Sequence, residues 1–446
     1  MRATRRHFLQ TAAMAGVAAE RAAGGQAKVS PNDRIRFATI GIGGMGSGDT
    51  QSALTIPGNE LAAVCDIYDG RLARARELYG NQLFTTRDYR EILAKSDIDA
   101  VIIATPDHWH STIAIDALKA GKDVYLQKPM VHKIEEGKPL IEAEKASGRI
   151  LQVGSQYVSS VIYAKTKEII QSGMIGELNM VEAWLDRNTA IGAWQYSIPP
   201  DASPQNVDWD RFLGNAPKRP FEPVRLFRWR NYRDYGTAVA GDLFVHLLSG
   251  LHVATGSLGP NRVFATGGLR YWKDGREVPD VMLALLDYPA GKTHPAFNLA
   301  LRVNFKCGLP EELFGFRFVG SEGTLEAGYS VVVTKTPPET EPGYTIGTFP
   351  KATQQEFLKE YRAKYPVKPL TAEGMKPDQV LTWAPPRGYN AHLDHHRVFW
   401  NAVRTRKPVV ENTTFGFRAA GPALLSNVSY FEERVCKWDP ETLTAS

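Results

Sequence analysis

Three groups of residues in this chain have the types and spacing that chemistry requires. The first is the glycine turn Gly41-x-Gly43-x-x-Gly46, which follows an apolar run from Phe37. It is answered by Asp66, which ends a second apolar run, Leu61 to Asp66, 20 residues beyond Gly46. Gly41 allows a tight turn, Gly43 lets the backbone approach a pyrophosphate, and Gly46 lets the following helix pack on the strand. The pyrophosphate would sit on the helix N-terminus, where unpaired N–H groups and the dipole favour an anion. Asp66 stands where an acid would hold the adenine-ribose hydroxyls and repel a 2′-phosphate. Strand, turn, helix and acid in this order point to a dinucleotide, NAD rather than NADP.

The second group lies where later strands end. Thr105-Pro106-x-x-x-His110 follows the apolar run Asp99 to Ala104, and Gln127-Lys128-Pro129 follows Lys122 to Leu126. Ligands of an open α/β sheet bind beyond the carboxyl ends of its strands, so both turns share the nucleotide's edge. Gly41, Gly43, Gly46, Asp66, Arg71, Thr105, Pro106, His110 and Lys128 are the candidate cofactor residues. Helix capping is the competing role for His108 and His110. The third group is Asp242 and His246 on an apolar segment. A spacing of four puts both on one helical face, and an acid beside a histidine is what general-base chemistry requires.

Aromatic planes beside charged or amide groups can hold a polar ligand. Arg228, Trp229 and Arg230 supply these just before Asp242. Trp184, Arg187, Gln156 and Tyr157 are further candidates, with packing beneath a loop as the alternative for each aromatic. His392, His395 and His396 crowd around Asp394, but their spacing matches no metal-ligand motif. A solvated helix face or a substrate contact is expected there, and no metal.

The elements that must position these residues alternate. Apolar runs at 37–40, 61–65, 99–104, 122–126 and 150–153 are separated by helical patterns, which implies a parallel, doubly wound sheet. Past Gly154 the runs alternate apolar and polar residues, as in 178–186, 263–271, 281–288, 299–305, 315–319 and 324–327. That pattern predicts an open, predominantly antiparallel sheet with one face covered. Two helices, 392–404 and 416–433, close the chain. The expected domains are 33–154 and 155–435.

The chain has 446 residues, 43% apolar and 23% charged, as in a soluble globular protein. Its formal charge of +5 includes four arginines against one glutamate in the first 25 residues. No dense basic patch with interleaved aromatics suggests nucleic acid, and no apolar run is long enough to span a membrane. Thr4-Arg5-Arg6-His7-Phe8-Leu9, a mild apolar stretch and a run of small residues read as a twin-arginine signal over residues 1–27. Export through the twin-arginine machinery, to the periplasm, would let a folded protein carry its nucleotide with it. Cys65, Cys307 and Cys436 form no disulfide framework or metal motif.

The glycine turn with Asp66, the Thr-Pro-x-x-x-His turn, the Lys-Pro pair and the Asp-x-x-x-His helix together resemble the Gfo/Idh/MocA oxidoreductases. The resemblance covers nearly all of residues 33–435. It implies a Rossmann domain, a C-terminal α/β domain whose open sheet forms a homo-oligomer interface, and an active site between them. It also implies hydride transfer between NAD and a sugar or cyclitol, and export away from any free NAD pool implies that the nucleotide is tightly bound. A glycoside hydrolase or lyase that oxidises its sugar only transiently is the alternative. By the same resemblance Lys128 contacts the substrate, and Asp242 and His246 hold the reacting hydroxyl. The chain departs from the pattern at Gln127, where a glutamate is usual, and at Ala238-Val239-Ala240, where glycines are usual.

Overall fold

The computed structural model describes residues 34–309, 312–336, 344–366 and 380–446. The twin-arginine segment expected over residues 1–27 lies outside them. The first domain runs β1 (Ile35–Ile40), α1 (Gly44–Leu54), β2 (Asn59–Cys65), α2 (Asp69–Tyr79), β3 (Phe84–Thr86) and α3 (Tyr89–Leu93). It continues with β4 (Ala100–Ile103), α4 (His110–Lys119), β5 (Asp123–Leu126), α5 (Gly137–Ser147) and β6 (Leu151–Val153). The six strands are all parallel, in the order β3-β2-β1-β4-β5-β6. Every residue of β4 and β5 is buried, because helices cover both faces. The order reverses between β1 and β4, which opens the crevice where such sheets take ligands.

After α6 (Val161–Gln171) and β7 (Leu178–Asp186) come two five-residue helices, α7 (Trp209–Leu213) and α8 (Pro223–Phe227), then α9 (Val245–Thr255). The remaining elements are β8 (Arg262–Gly268), β9 (Val281–Tyr288), β10 (Phe297–Asn304), β11 (Leu313–Gly320), β12 (Gly323–Ala327), β13 (Val331–Lys335) and α10 (Lys351–Lys364). They end with β14 (Val380–Trp383), α11 (Ala391–Thr405), α12 (Thr413–Glu432), β15 (Cys436–Asp439) and β16 (Thr444–Ala445). The second sheet has ten strands, β14-β13-β12-β11-β7-β10-β9-β8-β15-β16, antiparallel except at β7–β10. Alternation along β9 and β10 buries Met282, Ala284, Leu286, Leu299 and Leu301 against the helices. The opposite face leaves Phe264, Leu283 and Leu285 exposed. No described helix is long and apolar enough to cross a membrane. The three cysteines are all unpaired.

Two expected boundaries move. The second sheet runs past residue 435, because β15 pairs with β8 through Cys436 and Lys437. The first domain is also not closed by residues 33–154. Phe399, Trp400 and Val403 of α11 share a buried cluster with Ile35, Phe37, Ala100, Ile102 and Tyr125. The strongly amphipathic α11 thus covers a Rossmann sheet face that the local sequence leaves bare. Trp400→Ala should cost about 3–5 kcal/mol and lower the urea midpoint of the nucleotide domain. An unchanged midpoint would show that α11 is not part of that folding unit.

Candidate active site

The β1–α1 turn closes against the turn after β4. A Cβ on Gly41, whose φ is +87°, would lie 2.6 Å from the Ala104 carbonyl oxygen, and one on Gly46 would lie 1.9 Å from the Gly41 carbonyl oxygen. Neither position admits a side chain. Gly43 caps α1 without a side-chain hydrogen bond, which leaves the first-turn N–H groups for an anion. Asp66 accepts from the backbone N–H of Ile42 (3.0 Å) and of Tyr68 (3.1 Å), which fixes its carboxylate at the tip of β2. Arg71 lies along the turn, its guanidinium about 3.5 Å from where a Gly43 Cβ would be and 3.4 Å from Asp66. The Thr105 hydroxyl is buried with no hydrogen-bond partner. A glycine-walled approach, an uncapped helix and an acid beyond β2 fit a dinucleotide.

Next to this cradle, one carboxylate gathers two cations. Lys128 Nζ donates to Asp242 Oδ1 (2.9 Å) and to the Asp242 carbonyl (2.8 Å), and Arg230 Nε donates to the same Oδ1 (3.0 Å). The side chains of Lys128 and Asp242 are only 9% and 5% exposed, so their charges interact with little screening. Burial pushes the Asp242 carboxyl up, but Lys128 and Arg230 outweigh it and hold it well below the usual carboxylate range. Burial pulls Lys128 down against the opposing field of Asp242. His246 is lowered well below the ordinary histidine value, by burial first and by Lys128 second. It is therefore neutral near neutral pH, the form that accepts a proton.

The expected Asp242–His246 hydrogen bond is absent. Ala240–Phe244 form a π-helical turn ahead of α9, so Asp242 is not in regular α-helical register with His246. Its carboxylate is taken by two cations, which bind it more strongly than a neutral ring can. His246 Nδ1 is buried and unpartnered. A single-turn π segment is frequent at functional sites, and here it lets one helix aim Asp242 at Lys128.

The remaining candidates divide. Both ring nitrogens of His110 meet backbone carbonyls, Pro129 at 2.7 Å and Thr105 at 2.8 Å. His110 thus joins the two catalytic-edge turns and has no nitrogen left for a nucleotide. The Lys128–Pro129 peptide is cis. His108 is bonded to the Phe212 carbonyl at 2.7 Å and packs on Tyr235. Arg230 is at the site, with its guanidinium over the Trp229 ring. Arg228 is not free for substrate, because it anchors the Tyr196 carbonyl and the Gln195 side chain. Trp184 shares a sheet face with Arg302, which is exposed and stacks on it, so strand alternation turns it away from α9. Tyr157 stacks on Phe314 at 4.9 Å in the 3-10 turn that also holds Gln156. Arg187 spends one N–H on the Gly192 carbonyl, while its buried Nε has no partner. The expected solvated histidine face is instead buried. His395 sits between the Val153 carbonyl and Ser159 Oγ, and His396 stacks on Tyr125 at 4.4 Å.

Sequence reasoning missed Asp107. Its carboxylate accepts from Thr237 N (3.0 Å) and Thr237 Oγ1 (2.8 Å), which ties the Thr105–His110 turn to the lead-in of α9. Only Thr237, 130 residues away, gives it that role, and no local pattern signals the pair. It also missed the meaning of Gln127. The Gln127 amide donates to Asp49 Oδ2 at 2.7 Å, where a glutamate would oppose a second carboxylate.

Residues 35–155 match the model of the Gfo/Idh/MocA oxidoreductase family, NAD-binding Rossmann fold. The match covers the nucleotide-binding domain alone. Over 149 residues the chain is 34% identical to inositol 2-dehydrogenase of Salmonella typhimurium, covering 33% of this chain and 44% of that protein. It is 31% identical to glycosyl hydrolase family 109 protein 1 of a Shewanella species, over 33% of this chain and 34% of that protein. The chain thus spans less than half the length of these curated relatives. Levoglucosan dehydrogenase, solved with NADH and levoglucosan, superposes with a TM-score of 0.63 at 19% identity, over 90% of this chain and 98% of that one. That likeness shows a shared overall fold that includes the second domain.

Two outcomes check the site. Ala238 holds φ +54° without being glycine, so Ala238→Gly should stabilise the protein by roughly 1 kcal/mol; a lower melting temperature would refute the strain. Burial holds His108 at about 4 and His252, on α9 and hydrogen-bonded to the Tyr288 hydroxyl, at about 3. The unfolded chain binds those protons near pH 6.5 and the folded chain refuses them. Stability should therefore be full above pH 6.5 and fall by about 1.4 kcal/mol per pH unit per histidine toward pH 4. Denaturant titrations across that range, compared between wild type and His252→Gln, read the slope.

Proposed function

We propose that this protein is an exported, NAD-dependent oxidoreductase acting on a hydroxyl-bearing carbon of a carbohydrate or cyclitol. The observation that carries the reading is the buried Lys128–Asp242–Arg230 cluster beside a neutral His246, on the strand edge that holds the glycine turn. His246, held in its neutral form, accepts the substrate hydroxyl proton. Lys128 and Arg230 stabilise the oxygen as it becomes negative, and their fixed positions in a dry site make that stabilisation large. Asp242 keeps both cations in place. Bound NAD supplies the hydride acceptor. Asp66 favours NAD over NADP, and export implies that the nucleotide is held tightly. The open sheet face with Met180, Phe264 and Leu285 suits self-association.

A second reading is favoured by the Shewanella relative's name: transient oxidation of a glycoside, elimination, and return of the hydride with no net redox. Heat-denatured protein should release stoichiometric NAD; none would sink tight binding. Phenol release from aryl glycosides without accumulating NADH selects the hydrolase, and stoichiometric NADH from free sugars selects the dehydrogenase. Lys128→Met and His246→Ala should each lower kcat by about 10²–10⁴-fold while the nucleotide stays bound. Wild-type turnover in either variant would remove that residue from the mechanism.

A further inference from the structure

Asp49, on α1 just after the glycine turn, is fully buried, and no lysine or arginine among the described residues pairs with it. Its Oδ1 instead meets two imidazoles from α11: His392 Nε2 at 2.7 Å and His396 Nε2 at 3.1 Å. The two histidines are four apart and share one helix face. Ligand atoms of all three residues lie within 4.8 Å of one another. The other carboxylate oxygen is fixed by the Gln127 amide at 2.7 Å, so Oδ1 is kept facing the histidines. Side-chain exposure is 0% for Asp49 and His396 and 20% for His392.

A buried carboxylate with no lysine or arginine beside it carries a charge that no fixed cation compensates. Two imidazole nitrogens and one oriented carboxylate oxygen, on two packed helices, are a donor set for a divalent transition ion. The Gln127 amide has the place of the outer hydrogen bond that orients such a ligand. The partly exposed His392 side chain gives an ion a way in.

We propose that Asp49, His392 and His396 bind one zinc-class divalent ion that fastens α11 onto α1. The mixed nitrogen and oxygen donors select zinc, cobalt or nickel over magnesium or calcium. Spacing within α11 hid the set because its third ligand lies 343 residues away from His392. The site shares no ligand with the Lys128–Asp242 cluster, and its function would be to hold the covering helix on the cofactor domain.

The untagged full chain, dialysed against chelator and then titrated with Co²⁺, tests this. The expected result is one equivalent of cobalt with visible d–d absorption, displaced by Zn²⁺, and a higher melting temperature with either ion. His392→Ala, at the partly exposed ligand, should lose the absorption and weaken cobalt binding at least tenfold. Absence of stoichiometric uptake by the wild-type chain, or uptake undiminished in both His392→Ala and Asp49→Asn, overturns the site and leaves a hydrogen-bonded clasp. The wild-type titration decides the matter even if a variant fails to fold.

Discussion

The buried ion pair between Lys128 and Asp242 is the interaction on which the rest of the structure depends. Its partners are 114 residues apart and belong to different domains, so forming it fixes the domains against each other. Taking two charges out of water is costly, and the attraction offsets the cost only when geometry is good and further hydrogen bonds complete it. Arg230 and the Asp242 carbonyl supply those bonds. The result is a pair of cations gathered on one carboxylate, next to a histidine kept neutral by burial and by the nearby lysine.

Much of the surrounding architecture serves to hold that pair. His110 joins the Thr105 and Pro129 carbonyls and so locks the two turns that follow β4 and β5. Asp107 grips Thr237 and brings the start of the second-domain helix to the first of those turns. The π-helical turn then rotates Asp242 toward Lys128, and Ala238 accepts a left-handed backbone to make the entry. The Asp107–Thr237 bonds among them are close polar contacts between segments distant in sequence.

The legible parts of the site were those with local signatures. Gly41 and Gly46 announce themselves because no Cβ fits, and Asp66 because its offset from the turn is set by the length of one helix and one strand. Lys128 was legible as the residue after a buried strand. Trp184 was misread because strand alternation gives two faces but not which one the active site occupies. The histidines of α11 were misread because a helix that covers another domain's sheet looks, in its own sequence, like a surface helix with one apolar stripe.

The sequence by itself determined the alternation of strands and helices, the nucleotide turn and the sheet edge that bears Lys128. Those depend on contacts within about 30 residues, where hydrophobic period and turn chemistry act directly. Only the tertiary structure decided what each charged side chain faces. Asp242 was given Lys128 and Arg230 rather than His246, Asp107 was given Thr237, and Asp49 was given His392, His396 and Gln127. A buried polar group is stabilised by whichever partner the fold carries to it; which one is a property of packing between distant segments.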